Sequence, residues 1–253
     1  MLTRSILVAL CLTGCASHDF RSPDRSTTSP SASTLFDAAR TRPIPILLYG
    51  GTVRGQRKPL AIISHGYGGH NGAYSFLASD LVARGYLVAS IEHVERPGDP
   101  AMVNSGDLAL LRRPVWQVGA DSIGFVISEM TRKGLSDPSR GTLLIGHSNG
   151  GDMTMLFAKE HPEQVSVALS FDNRRMPLPR TKRPKVCSLR SSDQVADAGV
   201  LPSPAEQAAL DMSIISVPVE HNDMWDGASA EQKAAMLKAV SVCLDAKHGN
   251  GSL

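Results

Sequence analysis

The sequence predicts an α/β protein built on a doubly wound, mostly parallel sheet, and three observations lead there. Short runs apolar on both faces recur along the chain, as parallel strands buried between helices require. Longer segments with helical spacing of apolar residues separate them. A length of 253 residues suffices for one such domain without demanding a second.

The elements follow in order. "LAIISHG", Leu60 to Gly66, is a β-branched run ended by glycine, and "YLVASIEH", Tyr86 to His93, is the next. "GTLLIGHS", Gly141 to Ser148, "VSVALSF", Val165 to Phe171, and "KVCSLR", Lys185 to Arg190, continue the series, with a weaker run "SIISVPVE" from Ser213 to Glu220. Helices are expected over Asn71 to Arg84, stopped by Gly85, and over Val115 to Met130. Two more are expected over Gly150 to His161, stopped by Pro162, and over Ser229 to Leu244. In such sheets ligands bind outside the carboxyl ends of the strands.

The first 40 residues read differently. Arg4 precedes an apolar run, Ile6 to Leu12, that is too short to span a bilayer, so residues 1–14 read as a signal peptide. Leu12-Thr13-Gly14-Cys15 resembles the lipobox of bacterial lipoproteins, which implies lipidation of Cys15; the other reading is an ordinary signal peptide with Cys15 a bystander. Residues 15–40 are rich in Ser, Thr, Pro, Asp and Arg without apolar periodicity and read as a flexible tether. The folded domain is expected over 41–247, and 248–253 as a frayed tail. The expected location is the bacterial cell envelope, lipid-anchored, facing the periplasm or exterior.

Composition narrows the function classes. A formal charge of +2 is too mild to argue for nucleic acid, and 5% aromatic residues are too few for base-stacking platforms. No Cys/His pair has metal-ligand spacing, so no metal is expected. Cys187 and Cys243, the cysteines outside the leader, could pair or remain thiols.

The chemistry concentrates at Gly146-His147-Ser148-Asn149-Gly150, which matches G-x-S-x-G with an apolar run before it and a helical segment after it. On such a turn the serine hydroxyl is lifted to the strand ends, and side chains at the flanking glycines would collide with neighbouring elements. An oxyanion hole should accompany the nucleophile. Its donors are assigned to the backbone N–H groups of Tyr67, in the loop "SHGYGG", and of Asn149, with His65, Gly66, Gly68 and Trp116 as candidate substrate contacts. The order nucleophile, acid, base leaves His221 and His248 as bases, and His221 lies just past the last strand candidate. Asp193, soonest after the strand ending at Arg190, is the first choice of acid, with Asp197 the alternative and Asp172 a third possibility.

With Ser148, Asp193, His221 and "SHGYGG" in this order, the sequence from about Thr41 to Leu244 resembles the α/β-hydrolases. Within them, "SHGYGGHNGAYSFLASDLVARGYLVASIEH" and "GHSNGG" resemble dienelactone hydrolase-like and platelet-activating factor acetylhydrolase-like enzymes. The resemblance implies ester hydrolysis through an acyl-enzyme, with no metal or organic cofactor. It also departs from the dienelactone hydrolases proper, whose nucleophile is cysteine where this chain has Ser148. Expected partners are a small-molecule or lipid ester and the membrane through Cys15. The expected substrates are carboxylic esters with short or medium acyl chains; peptidase, amidase or thioesterase activity would use the same triad, and a non-catalytic envelope binding module is the reading from another class.

Two loops are expected to shape the site. Only "DNRRMPLPRTKRP" separates Phe171 from Lys185, which leaves no room there for a large cap, and its Arg174, Arg175, Arg180, Lys182 and Arg183 could attract anionic head groups. The long loop from Val94 to Trp116 could act as a partial lid, with Met102, Leu108, Leu110, Leu111 and Trp116 lining an acyl pocket.

Overall fold

The computed structural model describes residues 29–51 and 55–245. The expected signal peptide, Cys15 and the tail 248–253 lie outside the described residues. Among the described residues eight strands form one sheet: β1 (Ser31–Asp37), β2 (Arg42–Tyr49), β3 (Leu60–Ser64), β4 (Leu87–Ile91), β5 (Thr142–His147), β6 (Val165–Phe171), β7 (Lys185–Arg190) and β8 (Ser213–Ser216). Their spatial order is β1-β2-β4-β3-β5-β6-β7-β8, with β1/β2 and β2/β4 antiparallel and every other pair parallel. The doubly wound, mostly parallel α/β sheet is therefore present.

Strands β3, β4 and β7 are buried at every position because helices cover both faces. Alternation within one strand divides the core. In β3, Leu60 and Ile62 pack on the side of α3 (Arg113–Arg132) and α4 (Asn149–Glu160), among Trp116, Ile123 and Phe157. Ala61 and Ile63 face the other layer, where α1 (Ser75–Ala83) and α6 (Ala230–Asp245) bring Leu77, Leu81, Met236 and Val240. Two short helices complete the set among the described residues, α2 (Leu108–Leu111) and α5 (Pro204–Leu210); α5 starts at a reciprocal cap between Ser203 and Glu206.

The tether expectation over 15–40 fails at its end, because Ser31–Asp37 is an edge strand. Its sequence, SASTLFD, is polar because only Leu35 and Asp37 are buried. Strand β2 carries Pro43 and Pro45, residues that a fully paired strand excludes. They are tolerated because β4 pairs only with Ile46 to Tyr49, so the proline positions lie where β2 has no ladder donor to give on that side.

Cys187 in β7 and Cys243 in α6, both fully buried, form a disulfide with Cα atoms 6.1 Å apart. Between β6 and β7 the chain makes only a 13-residue connection, 172–184, and among the described residues no large cap stands over the carboxyl ends of the strands. Much of that connection's charge is used internally: Arg174 pairs with Asp197 at 3.0 Å, and Arg180 reaches Glu206 and the carbonyls of Leu178, Gly199, Val200 and Leu201.

Candidate active site

Ser148 sits between β5 and α4 at φ 51°, ψ −119°, a positive φ that costs a side-chain-bearing residue conformational energy. Its neighbours enforce the turn. A methyl group on Gly146 would overlap the Gly150 carbonyl, and one on Gly150 would overlap the carbonyls of Ser64 and His65. The Ser148 N–H is held by the Phe171 carbonyl of β6 at 2.8 Å. Backbone bonding thus fixes the serine, and its hydroxyl stays available.

His221 Nε2 lies 3.0 Å from Ser148 Oγ, and His221 Nδ1 lies 2.7 Å from Asp172 Oδ2. An N–H on Nδ1 donates to the carboxylate, so Nε2 is left to accept the serine proton. The structure thus places Asp172 against the imidazole, and not Asp193, the first choice from sequence. Asp193 accepts the backbone N–H of His221 at 2.7 Å and holds the loop, while Asp197 pairs with Arg174. The reason lies in the sheet order. Strand β6 is the direct neighbour of β5, so the residue following Phe171 emerges beside the nucleophile, whereas β7 is one strand farther away. The signal in the sequence is the aspartate that ends the uninterrupted run VSVALSF.

Asp172 is fully buried, also at a positive φ of 56°. Burial pushes its carboxyl up, but hydrogen bonds from His221 and Ser191 and the charge of Arg190 outweigh this and hold it below the usual carboxylate range. Ser191 Oγ donates to Oδ2 at 2.6 Å, Arg190 pairs with Oδ1 at 2.7 Å, and the Gln194 amide donates to Oδ2 at 3.0 Å. None of these three supporting residues is marked by a motif.

His147, the variable residue of the elbow, is also absorbed into the site. Its Nδ1 accepts from the Tyr74 hydroxyl at 2.7 Å, and its Nε2–H donates to the His221 carbonyl at 3.1 Å. Burial, followed by the nearby His221, lowers its pKa to about 3, and burial does the same to His93. Unfolded imidazoles protonate near 6.5 and these two stay neutral in the folded protein, so the unfolded chain binds more protons as pH falls from 6.5 toward 3. Their contribution is present above that window and lost on acidification. Asp152, raised to about 6 by burial, acts oppositely, losing its contribution as pH rises from 3.8 to about 6. Two groups outweigh one. The urea midpoint is therefore expected to drop between about pH 7 and about pH 4.5, and to drop less in His147→Gln.

The "SHGYGG" loop is braced by His65, whose Nδ1–H donates to the Gly66 carbonyl at 2.7 Å and whose Nε2 accepts the His93 N–H at 3.0 Å. Among the described residues no hydrogen bond takes up the N–H of Tyr67 or of Asn149. Two clefts meet at this loop, both lined by Gly66, Tyr67, Gly68 and Gly69. One, about 390 Å³, contains Ser148 and His221 and is walled by the exposed aromatics Tyr67 and Trp225. The other, about 380 Å³, contains His65 and Asn149 and runs between β2 and α3.

Trp116, expected as a substrate contact, lines neither cleft. It is buried in the α3 layer and its indole N–H donates to Asn149 Oδ1 at 3.0 Å, which orients that side chain from behind. Met102, Leu108, Leu110 and Leu111 line neither cleft either, and Leu110 and Leu111 point their surface to solvent on α2.

The family model for platelet-activating factor acetylhydrolase, isoform II, matches residues 48–103, the stretch holding β3, the glycine loop, α1 and β4. No curated protein matches the chain by sequence. Among solved structures, a ferulic acid esterase from Streptomyces cinnamoneus is similar at 17% identity and TM-score 0.66, covering 89% of this chain and 91% of that one. A soluble variant of monoglyceride lipase from Saccharomyces cerevisiae is similar at 12% identity and TM-score 0.58, with 87% and 95% covered. A protein assigned as a dienelactone hydrolase from Klebsiella pneumoniae is similar at 16% identity and TM-score 0.59, with 87% and 100% covered. At these identities the likeness is one of fold, and the fold is that of the α/β-hydrolases.

Proposed function

We propose, from the α/β-hydrolase fold as premise, that the chain is a serine hydrolase of carboxylic esters with short or medium acyl groups. The observation that carries this is the unbroken line Ser148 Oγ to His221 Nε2 to Asp172, at 3.0 Å and 2.7 Å, set on a strained elbow. In the proposed reaction His221 takes the Ser148 proton as Oγ attacks the ester carbonyl. The oxyanion is received by the N–H groups of Tyr67 and Asn149. The imidazolium, stabilised by Asp172, then protonates the leaving alcohol, and water releases the acyl group by the reverse sequence. The esterases and lipase of similar fold and the partial family match support this reading.

A binding module would have no use for a hydroxyl, an imidazole and a charged carboxylate aligned within hydrogen-bonding distance beside two uncommitted N–H groups. For location, the proposal remains a lipoprotein of the cell envelope anchored at Cys15. The Cys187–Cys243 disulfide supports an oxidising compartment.

The purified protein is expected to turn over p-nitrophenyl esters and to take up about one equivalent of a fluorophosphonate probe, read by intact mass. Neither turnover nor labelling would return the chain to the binding-module class. Labelling without ester turnover would keep the nucleophile and remove the ester assignment.

A further inference from the structure

The two clefts divide a bound ester unequally, and the division follows from the proton. His221 must protonate the leaving alcohol, so the alcohol lies in the cleft that contains His221 and Trp225. The acyl chain then leaves the carbonyl on the other side, past Asn149, into the cavity of about 380 Å³. Its flanks are apolar, with Pro43 and Ile44 from β2, Val115 and Val118 from α3, and Met153 from α4. Its remaining wall is polar. There Arg42 is satisfied by two bonds to Asp99, at 2.9 and 2.8 Å, and one to the Val94 carbonyl, so it offers little to a ligand anion.

Glu92, beside it and partly exposed, keeps one oxygen without a donor among the described residues. Its Oε2 accepts the Asn71 N–H at 2.8 Å. Its Oε1 lies 3.3 Å from His65 Nε2, and that nitrogen carries no proton, because Nδ1 donates to the Gly66 carbonyl and Nε2 accepts from the His93 N–H. Two acceptors therefore face each other, and among the described residues no donor serves Glu92 Oε1. A hydroxyl placed there would satisfy it, and a carboxylate would be repelled.

We propose that this cavity selects acyl groups bearing a hydroxyl, or another neutral hydrogen-bond donor, at their far end, received by Glu92 Oε1. This rests on the ester-hydrolase reading and specifies its acyl class. It also moves the acyl site from Met102, Leu108, Leu110, Leu111 and Trp116 to the space between β2 and α3, which the start of the 94–116 loop still borders through Val94, Glu95, Asp99 and Pro100.

The test uses methyl esters of six- and eight-carbon acids in three forms: plain, ω-hydroxylated, and ω-carboxylated, followed by pH-stat. Wild type is expected to favour the hydroxylated form over the plain one by about tenfold in kcat/KM at one of the two lengths, and to disfavour the carboxylated form. In Glu92→Gln the Asn71 N–H holds the amide oxygen, so the amide NH₂ stands where Oε1 stood and the acceptor vanishes. The hydroxylated-to-plain ratio should then fall to about one, and the penalty on the carboxylated ester should shrink. Turnover that depends on Ser148 with a wild-type ratio near one at both lengths, a preference for the carboxylated ester, or a ratio unmoved by Glu92→Gln would overturn the inference and leave the hydrolase reading standing. Turnover that persists in Ser148→Ala would instead overturn the hydrolase reading.

Discussion

Ser148→Ala is expected to lower kcat on a p-nitrophenyl ester by about 10⁶-fold, with the thermal midpoint nearly unchanged. The size follows from what remains: the hydroxyl is the only atom lost, and without it no acyl-enzyme can form, although oxyanion donors and binding clefts persist. The small structural effect has its own cause. The Ser148 backbone is held by its N–H to Phe171 and by its carbonyl, which accepts from Asp152, and both bonds survive the change. Alanine inherits the φ of 51° and its strain along with it. A large loss of stability together with activity would mean that the hydroxyl supports the fold, and the test is kcat by steady-state assay beside a melting curve.

Asp172→Asn and Asp193→Asn separate the two candidate acids. The first is expected to cost about 10⁴-fold in kcat, because an amide in contact with Nδ1 favours the tautomer whose Nε2 carries the proton and cannot take another from Ser148. Asp172→Asn also removes a charge that Arg190 and Ser191 hold, so some stability should go with it. Asp193→Asn keeps an oxygen for the His221 backbone N–H, and its kcat is expected to stay within about threefold of wild type. If the losses were interchanged, the loop after β7 would carry the acid in the working enzyme and the 2.7 Å contact at Asp172 would be structural.

How much of this was legible depends on whether a feature is local. The buried strands and the elbow announce themselves, since β3 and β5 carry apolar residues on both faces, Leu60 to Ile63 and Leu143 to Ile145, and Gly146 and Gly150 are sterically required where they stand. His221 was reachable through chain order. The acid was not, because Asp172 and Asp193 both follow strands, and only the lateral order β5-β6-β7 decides which carboxylate reaches the imidazole. Trp116 shows the same limit at the scale of one helix turn: its place after a long loop suggested a pocket wall, and the face of α3 on which it falls turns it inward to Asn149. The edge strand β1 escaped notice for a different reason, that one neighbouring strand and little burial ask almost nothing of its side chains. Glu92 lies at the end of an expected strand, and nothing in its local sequence says that its carboxylate meets an acceptor.

The disulfide between β7 and α6 closes a covalent ring of the chain from Cys187 to Cys243. Gln194 and His221, and with them the base of the triad, lie on that ring, while Ser148 and Asp172 lie outside it. A protease that cuts the exposed stretch around Val195 would therefore yield two polypeptides that still travel as one particle, with the base-bearing piece tied through α6 to the sheet. Such a nick would be invisible on a non-reducing gel and visible on a reducing one, so the molecule's resistance to fragmentation depends on the redox state of its surroundings.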